Sequence, residues 1–208
     1  MWLGRFRLAV SLYRYEETRD MTTMLRLAAP VAALGLLAAC AGSTTVQPGS
    51  ISAGYTPDIL NYSAGKGGML TEVVGNPFAG PKGELDAVVV ETAQRSHFGQ
   101  KIPFFTTAPE GYTSPYRVVF AMNPVSGTSA ATLCDGKAQT RPRLPKESDK
   151  VSAALCAREV VITSVSGSVA GPLGPRDPAF VTLIAQLSHA LFPPVASERR
   201  GRDSQFDL

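Results

Sequence analysis

Residues 151–168, VSAALCAREVVITSVSGS, form the stretch that says most about the fold. Residues 151–157 and residues 160–168 are both rich in β-branched and small apolar side chains, and little more than Arg158-Glu159 lies between them. Two strands with so short a connection pair as an antiparallel hairpin. The stretch therefore predicts an antiparallel sheet at the centre of the domain.

Two segments upstream of the hairpin predict strands that extend this sheet. Residues 116–122 place β-branched and aromatic side chains at alternate positions and end at the turn signal Asn123-Pro124. Residues 69–74 are a shorter β-rich run that stops at Gly75-Asn76-Pro77. Together with the hairpin, these segments predict a sheet of three to five strands.

Two helices are predicted from apolar residues at helical spacing. The first has Glu84 and Asp86 in its first turn and Gly99 just beyond its end. The second has Asp177 as its N-cap and Pro178 at its first helical position. Their apolar faces are Leu85, Val88, Val89 and Thr92 in the first helix, and Phe180, Leu183, Ile184, Leu187 and Leu191 in the second.

These elements predict one α+β domain over residues 53–196. Its expected architecture is a small antiparallel sheet of three to five strands with two helices packed on one face. The 168 residues that follow Cys40 are a normal size for one domain. A chain of that length buries a sizeable core without added crosslinks.

The N-terminal region has the order of parts that a secretory signal needs. Arg26 precedes an uncharged apolar run over residues 27–37, LAAPVAALGLL, and the small residues Ala38 and Ala39 come before Cys40. A basic region, an apolar region and small residues before a cleavage point are typical of signal peptides. The apolar run is shorter than the roughly 20 residues that a membrane-spanning helix requires.

The segment Leu37-Ala38-Ala39-Cys40 resembles the lipobox of bacterial lipoprotein precursors. The resemblance implies that residues 21–39 are removed and that Cys40 is the lipid attachment site. It further implies an anchored protein on the periplasmic face of the cell envelope, since several acyl chains hold a protein stably on a bilayer. Ala41 after the lipidated cysteine favours the outer over the inner membrane. The competing interpretation is a buried cysteine at the end of an ordinary core helix.

Segments on both sides of the signal and at the C-terminus are expected to lie outside the domain. Residues 1–20 place three acidic residues ahead of the apolar run, so we expect translation to start at Met21 or Met24; a genuine extension is the alternative. Residues 40–52 are predicted to be the lipidated cysteine followed by a flexible tether. Residues 197–208 are predicted to be a disordered, charged tail.

Cysteine usage predicts one disulfide. With Cys40 assigned to lipid, Cys134 and Cys156 remain as a pair in an oxidising compartment. Such a crosslink would close a loop of about 20 residues and contribute roughly 3 kcal/mol to stability. Two free buried thiols are the alternative.

The charge balance gives no indication of an acidic partner. Residues 41–208 hold 15 Lys or Arg against 14 Asp or Glu, a net charge of +1. No basic stretch is interleaved with aromatic residues, as binding of single-stranded nucleic acid requires. We therefore predict no nucleic-acid partner.

Candidate chemical motifs are weak. Gly65-Lys66-Gly67-Gly68 resembles a phosphate-binding loop only in part, because Gly67 stands where Ser or Thr should follow the lysine, so a turn is expected. His97 is expected at the end of a helix, where positive charge suits the dipole, and His189 is expected to face solvent. No ligand spacing joins either histidine to a cysteine or carboxylate. We predict no catalytic residue, no cofactor and no metal site.

Two functional hypotheses remain. The first is a non-enzymatic envelope module that is anchored at Cys40 and binds or scaffolds another envelope protein. The second is a periplasmic hydrolase or small-ligand binder whose site is assembled from residues distant in sequence. The second hypothesis predicts a concave pocket with convergent polar groups.

Overall fold

The structure, a computed structural model, describes residues 43–144 and 147–194 of the chain. In chain order its strands and helices are β1 (Thr44–Ile51), α1 (Asp58–Ala64), β2 (Met69–Val74), α2 (Lys82–Ser96), β3 (Phe104–Phe105), β4 (Tyr116–Met122), α3 (Ala130–Cys134), β5 (Ser148–Ala157), β6 (Val160–Ala170) and α4 (Pro178–Leu191). All six strands belong to one sheet, in the order β1-β6-β5-β4-β2-β3.

The strands and helices that the sequence predicts are all present. β5 and β6 form the expected antiparallel hairpin, with Cα pairs from Ser148 and Ala170 to Ala157 and Val160. β4 pairs antiparallel with β5. Helix α4 begins as predicted, because the Asp177 carboxylate accepts a hydrogen bond of 2.9 Å from the backbone N–H of Ala179.

The predicted architecture is nevertheless wrong in the size and type of the sheet. Instead of three to five antiparallel strands with two helices, the described residues form six strands and four helices, and the sheet is mixed. β2 runs parallel to both β4 and β3. The parallel pairing follows from α2, which lies between β2 and β4 in the chain and carries it back to the end of the sheet where β2 began.

The predicted flexible tether is also corrected. Residues 44–51 form β1, an edge strand that pairs antiparallel with β6 from Thr44 opposite Val169 to Ile51 opposite Thr163. Pro48 is compatible with this position, because an edge strand does not need every backbone N–H for pairing. Only residues 41–43 therefore separate Cys40 from the folded domain.

The main core lies on one face of the sheet. Helices α1, α2 and α4 cover this face, and the inward residues of β4, β5 and β6 pack against them. The largest fully buried side chains in this layer include Phe120, Leu155, Phe180, Leu183 and Leu187. This face holds the apolar stripes that the sequence predicts for α2 and α4.

A smaller apolar cluster lies on the opposite face, under the short helix α3. Its buried members are Val119, Ala121, Leu133, Ala154 and the two cysteines. The predicted disulfide is confirmed: Cys134 at the end of α3 is bonded to Cys156 in β5, with the Cα atoms 5.5 Å apart. The crosslink therefore fixes α3 to the sheet.

The predictions for residues 1–20, residues 21–39, Cys40 and residues 197–208 lie outside the described residues. Within residues 43–144 and 147–194, the structure contains no helix with the length and apolar character needed to cross a membrane.

Candidate functional site

A cavity of about 500 Å³ opens at the end of the sheet where β2 and β4 begin and where β5 turns into β6. The loop that leads into β4 forms one wall, the C-terminal end of α3 forms another, and the hairpin turn forms the rim. The lining side chains are Tyr62, Leu70, Thr113, Ser114, Pro115, Tyr116, Arg117, Cys134, Asp135, Arg158 and Glu159.

Arg117 forms the floor of this cavity, and its guanidinium is directed at protein acceptors. Nη1 donates to the backbone carbonyl of Arg158 at 2.8 Å, and Nη2 donates to the carbonyl of Cys134. Nε lies 3.1 Å from Oε1 of Glu72, an ion pair without hydrogen-bond geometry. Arg117 therefore connects β4 to the hairpin, to α3 and to β2, and it shapes the cavity.

Aromatic residues build the opposite wall. The rings of Tyr62 and Tyr116 meet edge to face with their centroids 5.5 Å apart. The Tyr112 hydroxyl accepts from the N–H of Leu70 at 3.2 Å and lies within 3.3 Å of the carbonyls of Gly68 and Tyr116. These contacts fix the loop before β4 against β2, so the wall is an ordered part of the domain.

The rim of the cavity carries charge. Arg158 and Glu159 are exposed in the hairpin turn, and Arg158 has a left-handed backbone with φ of 54°. Among the described residues, no carboxylate lies within ion-pair distance of the Arg158 guanidinium. With Asp135 nearby, the opening offers donors and acceptors for a polar ligand or for a polar protein surface.

The cavity has no arrangement for nucleophilic catalysis among the residues that line it. Ser114 accepts a hydrogen bond of 3.2 Å from the N–H of Tyr116, and neither histidine is a lining residue. A serine nucleophile needs a base within hydrogen-bond reach.

The two histidines lie elsewhere and differ in environment. His97 is only 3% exposed, stacks on Phe104 with the ring centroids 5.2 Å apart, and places Nδ1 2.8 Å from the Phe98 carbonyl. Burial lowers the pKa of His97, which disagrees with the positive charge expected at this helix end. His189 is exposed, as predicted, and packs against Phe98.

The glycine-rich segment at residues 65–68 is a turn and not a phosphate-binding loop. The four backbone N–H groups of this segment donate to carbonyls of Asn61, Ser63 and Ala64 at distances of 2.9 to 3.2 Å. A phosphate loop needs such N–H groups to be available to the ligand. The Lys66 ammonium instead lies 5.8 Å from the centre of the Tyr62 ring.

A second cavity of about 300 Å³ lies between α2 and α4. Its base is formed by small and apolar side chains such as Val88 and Ala185. The charged groups around it are occupied in ion pairs, Arg95 with Glu91 at 2.8 Å and Arg176 with Glu84 at 3.2 Å. Because these charged side chains pair with one another at the surface, no ligand is needed to account for their presence around the cavity.

A buried carboxylate that we did not predict from the sequence lies at the opposite end of the sheet from the cavity around Arg117. Asp149 is 1% exposed, and Oδ1 accepts a hydrogen bond of 2.9 Å from the side chain of Asn123. The Arg143 Nε lies 3.5 Å from Oδ2. The alternation of β5 counted back from Val151 places Asp149 on the core side, and this signal could have been found in the sequence.

Among residues 43–144 and 147–194, no group of three or more His, Cys, Asp or Glu residues is placed to hold a metal ion. Of the predicted sites, the cysteine pair is joined by a disulfide, and Cys40 lies outside the described residues. The second hypothesis predicts a polar pocket, but the position of the cavity around Arg117 was not predicted. Its parts come from five separate segments, so no local motif announces it.

Comparisons with known proteins add little. No protein-family model and no curated protein matches the chain. Two solved structures of the PelC dodecamer from Paraburkholderia phytofirmans resemble its fold, at 17% and 16% sequence identity. Each similarity covers 72% of this chain and 98% of the other, with TM-scores of 0.39 and 0.40. A likeness of this size says nothing about function.

Proposed function

We propose that this chain is a bacterial lipoprotein, anchored through Cys40 on the periplasmic face of a membrane, whose domain binds or scaffolds another envelope protein. The observation that carries the proposal is the order of Arg26, the apolar run of residues 27–37 and Leu37-Ala38-Ala39-Cys40. The disulfide between Cys134 and Cys156 supports it, because such bonds persist in oxidising compartments.

The position of the cavity in the domain supports a binding role. β1 begins four residues after Cys40, and its first residue, Thr44, pairs with Val169 near the C-terminal end of β6, whereas the cavity lies at the N-terminal end of β6. The ten residue steps of β6 from Val160 to Ala170 span about 33 Å. An anchored domain of this kind presents Arg158 and the aromatic wall away from its point of attachment.

The anchor is tested by expressing the full chain in a Gram-negative host with an alkyne analogue of palmitate. We expect the native chain to be labelled and to have a mass that begins at Cys40 plus acyl groups, and the Cys40→Ser variant to be unlabelled. A Cys134→Ser/Cys156→Ser variant is the matched control and keeps the label. An unlabelled native chain that retains residues 27–39 contradicts the proposal, and density-gradient separation of the two membranes tests the outer-membrane location.

The binding role is tested by mild crosslinking in the native membrane, purification and mass spectrometry. We expect a stoichiometric envelope partner that is lost from the Arg158→Ala variant. Arg95→Ala is the matched control, because the Arg95 side chain is 76% exposed and lines the second cavity instead of this one. Recovery of the labelled protein without any partner contradicts the scaffolding role.

A second candidate function is a periplasmic small-ligand binder, and the cavity of about 500 Å³ with its polar rim is the observation that favours it. Hydrolysis is the weaker half of this alternative, since neither histidine lines the cavity. Native mass spectrometry of the protein exposed to a periplasmic extract tests it. A bound mass that disappears in Tyr62→Ala supports this candidate, and an unchanged protein mass argues against it.

A further inference from the structure

Two leucines are exposed at one end of the sheet, and at least one of them is held outward by an ordered turn. Leu173 is 96% exposed and Leu144 is 51% exposed. The backbone N–H of Leu173 donates to Oδ2 of Asp177 at 3.0 Å, and the N–H of Asp177 donates to the Gly174 carbonyl at 3.1 Å. The turn therefore presents the Leu173 side chain to the surroundings in a fixed position.

The two leucines belong to neighbouring loops. The guanidinium of Arg143, one residue before Leu144, donates from Nη1 to the carbonyl of Pro172, one residue before Leu173, at 2.6 Å. Single exposed apolar side chains are common on soluble proteins and need no explanation. The hydrogen bond between Arg143 and Pro172 joins the two loops, and the exposed side chains of Leu144 and Leu173 are together called the Leu144/Leu173 tip.

This Leu144/Leu173 tip lies at the end of the sheet where the chain arrives from Cys40. Thr44 pairs with Val169, and Leu173 follows Val169 by four residues. Thr44 also follows Cys40 by four residues, so the Cα atoms of Cys40 and Thr44 are at most about 14 Å apart, even where the chain is fully extended. An acyl chain on Cys40 consequently brings this end of the domain close to the bilayer surface.

The segment that carries Leu144 is net basic. Arg141 pairs with Glu147 at 2.7 Å, and Arg143 lies 3.5 Å from the buried Asp149. Lys150 is exposed, and its side chain lies on the opposite face of the sheet from the buried Asp149. Residues 141–150 hold four Lys or Arg against two Asp or Glu, so attraction to anionic lipid headgroups adds to the free energy gained by burial of the leucines.

We propose that Leu173 and Leu144 insert into the bilayer that carries the lipidated Cys40 and fix the orientation of the domain on the membrane. The inference rests on the proposed function, since it needs the lipid anchor. It deepens that function by assigning a second membrane contact within the folded domain. The contact directs the cavity at the far end of β6 toward the periplasm.

The test uses the full lipidated chain, reconstituted into phosphatidylcholine vesicles, with a bimane fluorophore on Leu173→Cys. Val160→Cys is the matched control, because Val160 is also an exposed apolar residue, 62% exposed, but lies at the opposite end of β6. Lipids brominated in the acyl chains quench only a fluorophore that enters the bilayer. We expect at least about threefold stronger quenching at position 173 than at position 160.

A second variant keeps the result independent of the labelled residue. With the fluorophore on Ala170→Cys, the substitutions Leu173→Ser and Leu144→Ser are expected to remove most of the quenching. Both side chains are exposed, so the fold is not expected to suffer, and circular dichroism checks it. Replacing part of the phosphatidylcholine by phosphatidylglycerol is expected to increase the quenching, because residues 141–150 have a net charge of +2.

Flotation of the same vesicles separates the two proposals. If the protein floats and carries acyl groups, but positions 173 and 160 are quenched equally weakly, the insertion is overturned and the anchor stands. If the emission at 173 is blue-shifted without quenching by brominated lipid, a protein surface covers the tip and the insertion is likewise overturned. If the chain carries no acyl groups, the anchor proposal fails and the insertion fails with it.

Discussion

Asp149 shows how much a single buried side chain can couple this fold to pH. The carboxylate is almost wholly inaccessible, and its partners are the Asn123 side chain at 2.9 Å and the Arg143 guanidinium at 3.5 Å. Burial raises the pKa of Asp149, and the hydrogen bond from Asn123 and the charge of Arg143 offset this only in part. Asn123 is itself fixed, since its Oδ1 accepts from the N–H of Lys150 at 2.7 Å.

The raised pKa fixes the sign of a pH dependence. The folded chain holds the proton on Asp149 more tightly than the unfolded chain does, so the resulting stabilisation is complete below the unfolded pKa of about 3.9 and is lost as the pH rises through the folded pKa. We expect the free energy of unfolding of Asp149→Asn, relative to the native chain, to rise as the pH increases from about 4 through the folded pKa of Asp149. Urea denaturation over this range measures it, and two parallel pH profiles would contradict it.

Arg117 is expected to act through the structure of the cavity wall. Replacing it by alanine leaves the carbonyls of Cys134 and Arg158 without their charged donor, and a hydrogen bond to a charged group contributes about 1.5–3 kcal/mol. We expect Arg117→Ala to lower the free energy of unfolding by about 2 kcal/mol. In Arg95→Ala, which loses only an exposed ion pair with Glu91, we expect a change below about 0.5 kcal/mol.

Equal effects of the two substitutions in chemical denaturation would show that Arg117 is an ordinary surface residue. The sequence could not assign this role, because the acceptors of Arg117 lie 17 and 41 residues away in the chain. Only the pairing of β4 with β5 brings them to one place. A disulfide needs just two partners of one residue type, and for that reason the sequence sufficed to predict the bond between Cys134 and Cys156.

At the scale of elements, helix α3 depends on its crosslink more than the larger helices do. It has five residues, too few for stability on its own, and it covers a small cluster around Leu133 and Ala154. The disulfide closes a loop with a sequence separation of 22. Loss of the crosslink therefore increases the conformational freedom of the unfolded chain and also releases α3 from this face of the sheet.

We expect Cys134→Ala/Cys156→Ala to lower the free energy of unfolding by about 3 kcal/mol. Guanidinium denaturation of the native and variant chains measures the difference. A reducing agent serves as the control, since it should destabilise the native chain by a similar amount and leave the variant unchanged. If reduction affects both chains equally, the assignment of the effect to this disulfide is wrong.

The elements that the sequence missed share short length or ambiguous composition. β3 has two residues, and α1 and α3 have seven and five, so none contains enough residues for a periodic signal. β1 contains Pro48 and Gly49, which are typical of linkers. The segment is nevertheless a strand, because it pairs with β6. The long elements have strong patterns, and those were predicted correctly.

The parallel pairing of β2 with β4 was within reach of the sequence. A strand, a helix and a strand follow one another over residues 69–122, and a helical connection returns the chain to the starting end of the sheet. The prediction of an all-antiparallel sheet was wrong because it extended the antiparallel pairing of the β5–β6 hairpin to every strand. The order of element types along the chain was therefore more informative than the best local pattern.

At the scale of the whole molecule, if Cys40 is lipidated as proposed, the length of chain between Cys40 and β1 decides how the domain meets the membrane. Three residues, 41–43, leave no room for a domain that stands away from its anchor. On this proposal, the Leu144/Leu173 tip is held at the bilayer surface, where its local concentration relative to lipid is high. A long flexible link would remove that advantage without removing the anchor.

This reasoning predicts the outcome of an insertion of ten Gly and Ser residues between Ala41 and Gly42 in the lipidated chain. A link of about 14 residues has a root-mean-square length of roughly 20 Å, enough for the domain to leave the surface. Flotation with vesicles should remain complete, whereas lipid quenching of a fluorophore at position 173 should fall by about half or more. Quenching that is unaffected by the insertion would mean that the leucines hold the membrane without help from the anchor, and the short connection from Cys40 to β1 would then have no part in orienting the cavity.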